Sequence, residues 1–288
     1  MEKQSLAYLY ALLAVLFWST VATAFKISLK YIDFLQLLFI SSLTSMIVLF
    51  LILIGSGKAG LLRSLSLQQI LRSLLAGFLN PFLYYVVLFK AYSLLPAQEA
   101  QPLNYTWPLV LVLFSAILLK QRVRVKDIFG LLIGFSGVIV ISTRGDLLSL
   151  KLSDPLGVSL AVGSAFIWSA FWMLNMKDER DDILKLFLNF LFGFFFVSIA
   201  MMFFSRPVLE VQGIPPAIYV GIFEMGITFV VWLKALNLSE TTALISNLIF
   251  LSPFISLIFI HFILGEEILS STIIGLVLIV SGIFVQRI

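Results

Sequence analysis

Nearly uninterrupted apolar stretches alternate with short polar breaks along this chain. A helix needs about 20 mostly apolar residues to cross a hydrocarbon core. Ten stretches reach or approach that length: Leu6–Phe25, Phe34–Ile54, Leu71–Phe89, Ala97–Leu119, Ile128–Ser142, Leu156–Asn175, Leu184–Phe204, Pro216–Leu236, Thr242–Leu264 and Thr272–Val285. They do not alternate apolar with polar residues, as barrel strands do. Nor does the chain hold enough amphipathic sequence to wrap them in a water-facing shell. The pattern predicts an all-α integral membrane protein of ten transmembrane helices. Leu6–Trp18 followed by Ala22-Thr23-Ala24 also has the form of a cleavable leader, but the internal repeat needs this segment as the partner of a later span.

Composition narrows the class. Of 288 residues, 61% are hydrophobic and 12% charged, with a mean hydropathy of +1.10, too little polar surface for a water-soluble particle. The absence of cysteine excludes disulfides and thiolate chemistry, and a single histidine, His261, argues against a histidine-built metal centre. No phosphate-binding loop or redox motif is present, so no cofactor and no metal are expected, and the chain does not read as an enzyme. The sequence pI of about 9.3 does not signal nucleic acid here, because Lys and Arg of membrane proteins collect in cytoplasmic loops. If the N-terminus is cytoplasmic, the outer side carries Lys26, Lys30, Lys90, Arg144, Lys151 and Arg206, and the other 13 of the 19 Lys and Arg lie inside. Both termini are therefore expected in the cytoplasm, with the chain in the inner (plasma) membrane.

The two halves repeat one another. Phe17-Trp18-Ser19 matches Ile167-Trp168-Ser169, Lys90-Ala91 matches Lys234-Ala235, Pro108 matches Pro253, and Ser136-Gly137 matches Ser281-Gly282, at offsets of 144 to 150. Five spans per half is an odd number, so the halves, 1–145 and 154–288, enter the membrane from opposite sides. Inverted repeats of this kind serve alternating access in secondary transporters. Trp18-Ser19 with Lys26, then Trp232-Leu233-Lys234-Ala235-Leu236, Ser252-Pro253, Gly265-Glu266, Gly275 and Gly282, resemble EamA-type members of the drug/metabolite transporter superfamily. Asn104-Tyr105-Thr106-Trp107-Pro108 resembles the branch that includes bacterial aromatic amino-acid exporters. The resemblance implies an exporter of small metabolites, amino acids and especially aromatic ones first, with a small molecule and the bilayer as partners, no nucleic acid, and a monomer or homodimer.

Polar groups at membrane depth need a partner or a wet cavity. Glu224 lies about eight residues into the eighth span, roughly 12 Å deep at 1.5 Å per residue. It is a candidate to bind a substrate amine or carry a proton; the alternative is a structural hydrogen bond. Trp18, Ser19 and Thr23, with Trp168, Ser169 and Trp172 on the repeat mate, form either an aromatic pocket or tight packing. Both Trp18 and Trp168 lie too deep to be interfacial anchors. Gln101, Asn104, Tyr105 and Trp107 sit around Pro102 and Pro108, which disturb a helix and free carbonyls. Ser246 and Asn247 are their counterparts in the ninth span. Tyr84, Tyr85 and Asn80 surround Pro81 in the third span, where the tyrosines either line the pathway or pack. Each is a candidate lining residue or an interhelical hydrogen-bonding group. His261 is a weaker coupling candidate. Gly130, Gly134, Gly137, Gly275 and Gly282 read as close helix packing or a dimer contact. Export of cationic drugs or amines is the second reading, since a central carboxylate and aromatic walls both attract cations. A lipid-modifying enzyme or a non-transporting membrane partner completes the set.

Overall fold

The computed structural model describes residues 3–118, 125–148, 152–205, 207, 210–239 and 248–287. Among them every regular element is helical. The first half holds α1 (Lys3–Leu29), α2 (Phe34–Gly55), α3 (Leu67–Gly77), α4 (Tyr84–Leu94), α5 (Ala97–Asn104), α6 (Trp107–Leu118) and α7 (Val125–Ser142). The second holds α8 (Pro155–Met176), α9 (Asp182–Phe204), α10 (Ile214–Phe223), α11 (Ile227–Leu238), α12 (Leu251–Phe259) and α13 (Ser270–Arg287). Six segments are long and apolar enough to cross a membrane: Lys3–Leu29, Phe34–Gly55, Leu67–Leu94, Pro155–Asn175, Asp182–Phe204 and Val211–Leu238. Ile128–Ser142, Leu251–Leu264 and Ser270–Val285 are shorter apolar helices. Large apolar side chains face outward in quantity, among them Leu51, Leu132, Phe195, Met202, Phe204 and Phe262. A bundle with such a surface belongs in lipid rather than water.

Local chemistry sets the helix starts. Asp33 caps α2, accepting from the N–H groups of Leu35 at 2.8 Å and Gln36 at 2.9 Å, while the Gln36 side chain accepts from the Asp33 N–H. Ser66 and Gln69 repeat this box on α3, and Asp154 caps α8 ahead of Pro155. Each device satisfies N–H groups that a helix start leaves open. Past α12, Gly265 adopts a left-handed φ of 71° and stops the chain before Glu266.

Three of the expected spans are interrupted. Asn80 (φ −147°, ψ 120°) breaks the third ahead of Pro81. The fourth breaks at Tyr105-Thr106, one turn after Pro102 and just ahead of Pro108, as the prolines predict. The apolar pattern predicts a continuous eighth span over Pro216–Leu236; instead the helix stops at Phe223 and restarts at Ile227. The cause is Gly226, with φ −102° and ψ −96°: a Cβ there would lie 2.9 Å from the carbonyls of Gly221 and Ile222. Residues 242–247 of the span expected at Thr242–Leu264 lie outside the described residues.

Helix pairing crosses between the halves. α1 packs on α11 and α4 on α8; α2 packs on α9; α2 also packs on α10, as α3 does on α9; α1 packs on α12, as α6 does on α8; and α7 packs on α13. Glycines allow the last pair to touch backbone to backbone. A Cβ on Gly275 would lie 2.7 Å from the Gly137 carbonyl, and one on Gly282 would lie 2.7 Å from the Gly134 nitrogen and meet the Gly130 carbonyl. The α2–α9 pair is tied at both ends. At one, Ser205 donates to Asp33 at 2.6 Å; separately, Ser28 of α1 donates to the Gly213 carbonyl ahead of α10. At the other, Lys58 pairs with Asp181 at 2.6 Å and Arg180 donates to Asp178, Ser73 and the Gln69 carbonyl. Burial pushes the Asp181 carboxyl up, but Lys58 and the N–H groups of Leu184 and Ile183 hold it below the usual carboxylate range.

Candidate functional site

A cavity of about 360 Å³ lies between the halves. Its walls come from α1 (Trp18, Val21, Phe25), α4 (Tyr84, Leu88, Tyr92), the α5–α6 break (Gln101, Asn104, Tyr105, Trp107, Pro108, Leu111), α8 (Trp168, Trp172), the α10–α11 break (Glu224) and α11 (Trp232, Leu236), with Ile249 and Ile283. All five tryptophans of the chain line it. Four of them join Phe229 and Tyr84 in a connected wall of rings. Trp18 meets Trp232 at 5.5 Å and Phe229 at 6.1 Å; Phe229 meets Trp168 at 5.8 Å; Trp168 meets Tyr84 at 4.8 Å and Trp172 at 6.0 Å. Tilted and edge-on contacts at these separations suit the ring quadrupoles.

Glu224 stands at the helix break rather than inside a helix. Its N–H donates to the Val220 carbonyl, and Thr228 takes up the Phe223 carbonyl that the break frees. The residue is 8% exposed and lines the cavity. Tyr85 donates to Glu224 Oε1 at 3.0 Å, whereas Oε2 is buried with no partner among the described residues. Two other lining atoms share that condition, Gln101 Oε1 and Trp172 Nε1. Three lining residues thus carry a buried polar atom, two acceptors and one donor, with no partner among the described residues. No Lys or Arg occurs among its described lining residues.

Several of the other described polar candidates are engaged by protein groups. Asn104 lines the cavity, yet it accepts from Tyr84 at 3.3 Å and donates to Ser164 at 2.8 Å. Ser19 donates to the Val15 carbonyl at 2.6 Å and to Ser252 at 3.3 Å, tying α1 to α12. Ser169 donates to the carbonyls of Ala165 and Trp107, tying α8 to the start of α6. Thr23 lines a separate apolar groove with Thr20, Pro215, Pro216, Tyr219 and Phe259. Ser246 and Asn247 lie outside the described residues. His261 sits on the exposed face, with Nδ1 3.0 Å from the Glu266 carbonyl. Lys26 donates to the carbonyls of Tyr92 and Leu95, closing the end of α4. Lys90 and Lys234 lie over the rings of Phe34 and Tyr10.

Sequence reasoning did not single out Trp232, Tyr92, Phe25 or Leu88 as lining residues. Two of them had a signal. Aligning Lys90 with Lys234 puts Leu88 opposite Trp232, two residues before the lysine in each half.

A lipid-facing helical bundle with a central cavity is the form of a multi-pass membrane transporter. The chain belongs to the EamA-like transporter family, whose model matches residues 5–143 and again 155–287. Over 80% of its length it is 27% identical to the aromatic amino acid exporter YddG of Ancylobacter novellus, of which the match covers 79%. It is 25% identical over 97% of its length to an uncharacterized transporter of Archaeoglobus fulgidus, covering 96% of that protein. A solved crystal structure superposes with a TM-score of 0.67 over 98% of this chain and 96% of the other, at 24% identity, which speaks to the fold.

Proposed function

We propose that this protein is a secondary transporter exporting small amine-bearing metabolites with aromatic bodies, aromatic amino acids first, from the cytoplasm across the inner membrane. The observation that carries the reading is the cavity, walled by all five tryptophans and holding Glu224 as its only described lining carboxylate. An ammonium would meet Glu224 Oε2 and Gln101 Oε1, the indole N–H of Trp172 would meet an acceptor on the substrate, and the rings would stack on its aromatic body. The name of the Ancylobacter relative agrees with this substrate class. The mechanism is rocking of two inverted five-helix repeats, 1–145 and 154–288, in a ten-helix protein with both termini cytoplasmic. The reciprocal helix pairing and the doubled family match support it. It acts without cofactor or metal and is not an enzyme.

Reconstituted in proteoliposomes with a labelled amine and amino-acid library, wild type should move aromatic amines and amino acids. Glu224→Gln keeps the shape and should lose affinity for amines at every pH. A second reading, Glu224 as a proton carrier, is favoured by the lack of a basic partner among the described lining residues. In that case the variant would still exchange substrate but lose its response to a pH gradient. Transport equal to wild type with an unchanged pH profile would refute both.

A further inference from the structure

The carboxylate of Glu224 is held by one group from the other half of the molecule, and the repeat shows how particular that arrangement is. Tyr85 on α4 is fully buried and does not itself line the cavity. Its ring packs against Tyr84 at 4.7 Å and Phe89 at 5.1 Å, which leaves the hydroxyl little freedom. That hydroxyl donates to Glu224 Oε1 at 3.0 Å. The other carboxylate oxygen is buried with no partner among the described residues, on a residue that lines the cavity.

Under the offset of 144 that aligns Lys90 with Lys234, Tyr85 corresponds to Phe229 and Glu224 corresponds to Asn80. All four sit at or just after the interruption of an equivalent span. The ring is kept at both positions, where Phe229 joins the tryptophan wall. The hydroxyl occurs once, opposite the only carboxylate of the two. Each half thus supplies one member of a single polar pair.

We infer that Tyr85 is a positioning residue for substrate recognition: it pins Oε1 of Glu224 so that Oε2 is aimed at the substrate amine. The inference rests on the reading of Glu224 as an amine acceptor. A carboxylate freed of this bond would rotate about its last torsion and meet the ammonium less often in line. Loss of this charge-assisted hydrogen bond should weaken amine binding about tenfold, which is about 1.4 kcal/mol.

The test uses the full-length protein and its own fluorescence, because every tryptophan lines the cavity. The probes are phenethylamine, which carries an ammonium, and phenylacetamide, which has a similar body and no charge. Tyr85→Phe keeps the ring and should weaken phenethylamine about tenfold while leaving phenylacetamide unchanged, which also reports an intact fold. In a Glu224→Gln background the same substitution should add nothing. Glu224→Asp, which draws the carboxylate back from the hydroxyl, should likewise be insensitive to Tyr85→Phe. Equal weakening of both probes, or additive effects of Tyr85→Phe and Glu224→Gln, would show Tyr85 to be packing and overturn the inference. Weakening by Glu224→Gln but not by Tyr85→Phe would also overturn it, leaving the role of Glu224 intact. If Glu224→Gln itself leaves phenethylamine binding unchanged, the reading of Glu224 falls, and the role of Tyr85 with it.

Discussion

Trp18 and Trp168 occupy matching places in the two halves, and both belong to the ring wall of the cavity. Each is more than nine-tenths buried, so each also packs the bundle. The two roles separate on substrate choice. Trp18→Ala or Trp168→Ala should weaken transport of aromatic substrates about tenfold more than that of small polar ones. Losing a buried aromatic typically costs about 3–5 kcal/mol, so the yield of folded protein in detergent has to be measured alongside. Equal loss for all substrates would assign these rings to packing. At this scale the sequence was legible where depth and residue type coincide, as with Glu224 and the two tryptophans. It was not legible for hydrogen-bond partners. Nothing in the spacing tells that Asn104 is engaged by Tyr84 and Ser164 while Gln101 keeps an open oxygen, because partners lie on helices far apart in the chain.

Among the elements, the crossing of α7 and α13 makes the sharpest demand on residue size. Gly137 faces the Gly275 carbonyl and the side chains of Leu278 and Ile279, the latter two at 3.0 Å from where a Cβ would stand. Small residues let helices approach in lipid, where van der Waals contact replaces the hydrophobic effect as the driving force. Gly137→Val should force the pair apart and destabilise the protein by about 1–3 kcal/mol, read as a lower thermal unfolding midpoint in detergent. A substitution at Gly163, where a Cβ would meet nothing within 4 Å, is the matched control and should leave the midpoint nearly unchanged. The recurrence of these glycines was visible in the sequence, and the contact they make lies within the chain. The break at Glu224 was not visible, because it depends on a single glycine whose backbone angles no apolar pattern records.

For the whole molecule, the two ends of the bundle are built differently, and orientation follows from which of them faces the cytoplasm. One end is held by Glu99, which accepts from Arg144 and Ser153 at 2.7 Å each, and by Glu266, which accepts from the N–H groups of Ala97 and Gln98. The opposite end carries the Lys58–Asp181 pair and the Arg180 cluster. The Lys and Arg distribution predicts that the first end is outside. The chain has no cysteine, so single-cysteine variants report cleanly. Asp146→Cys should react with a membrane-impermeant maleimide on intact cells, and Glu179→Cys only after permeabilisation, with tags on both termini cytoplasmic. Labelling of Glu179→Cys in intact cells would reverse the orientation, and termini on opposite sides would end the ten-helix reading.

The sequence by itself determined the solvent and the helical class, because lipid demands long apolar runs whose backbone groups are satisfied within each segment. It also carried the family, whose model matches twice along the chain. Only the tertiary structure decided the site. The cavity draws on helices from both halves, and Tyr85 reaches Glu224 across 139 positions. Linear spacing records which residues share a helix face. It does not record which faces meet, and in this molecule the candidate site lies where they meet.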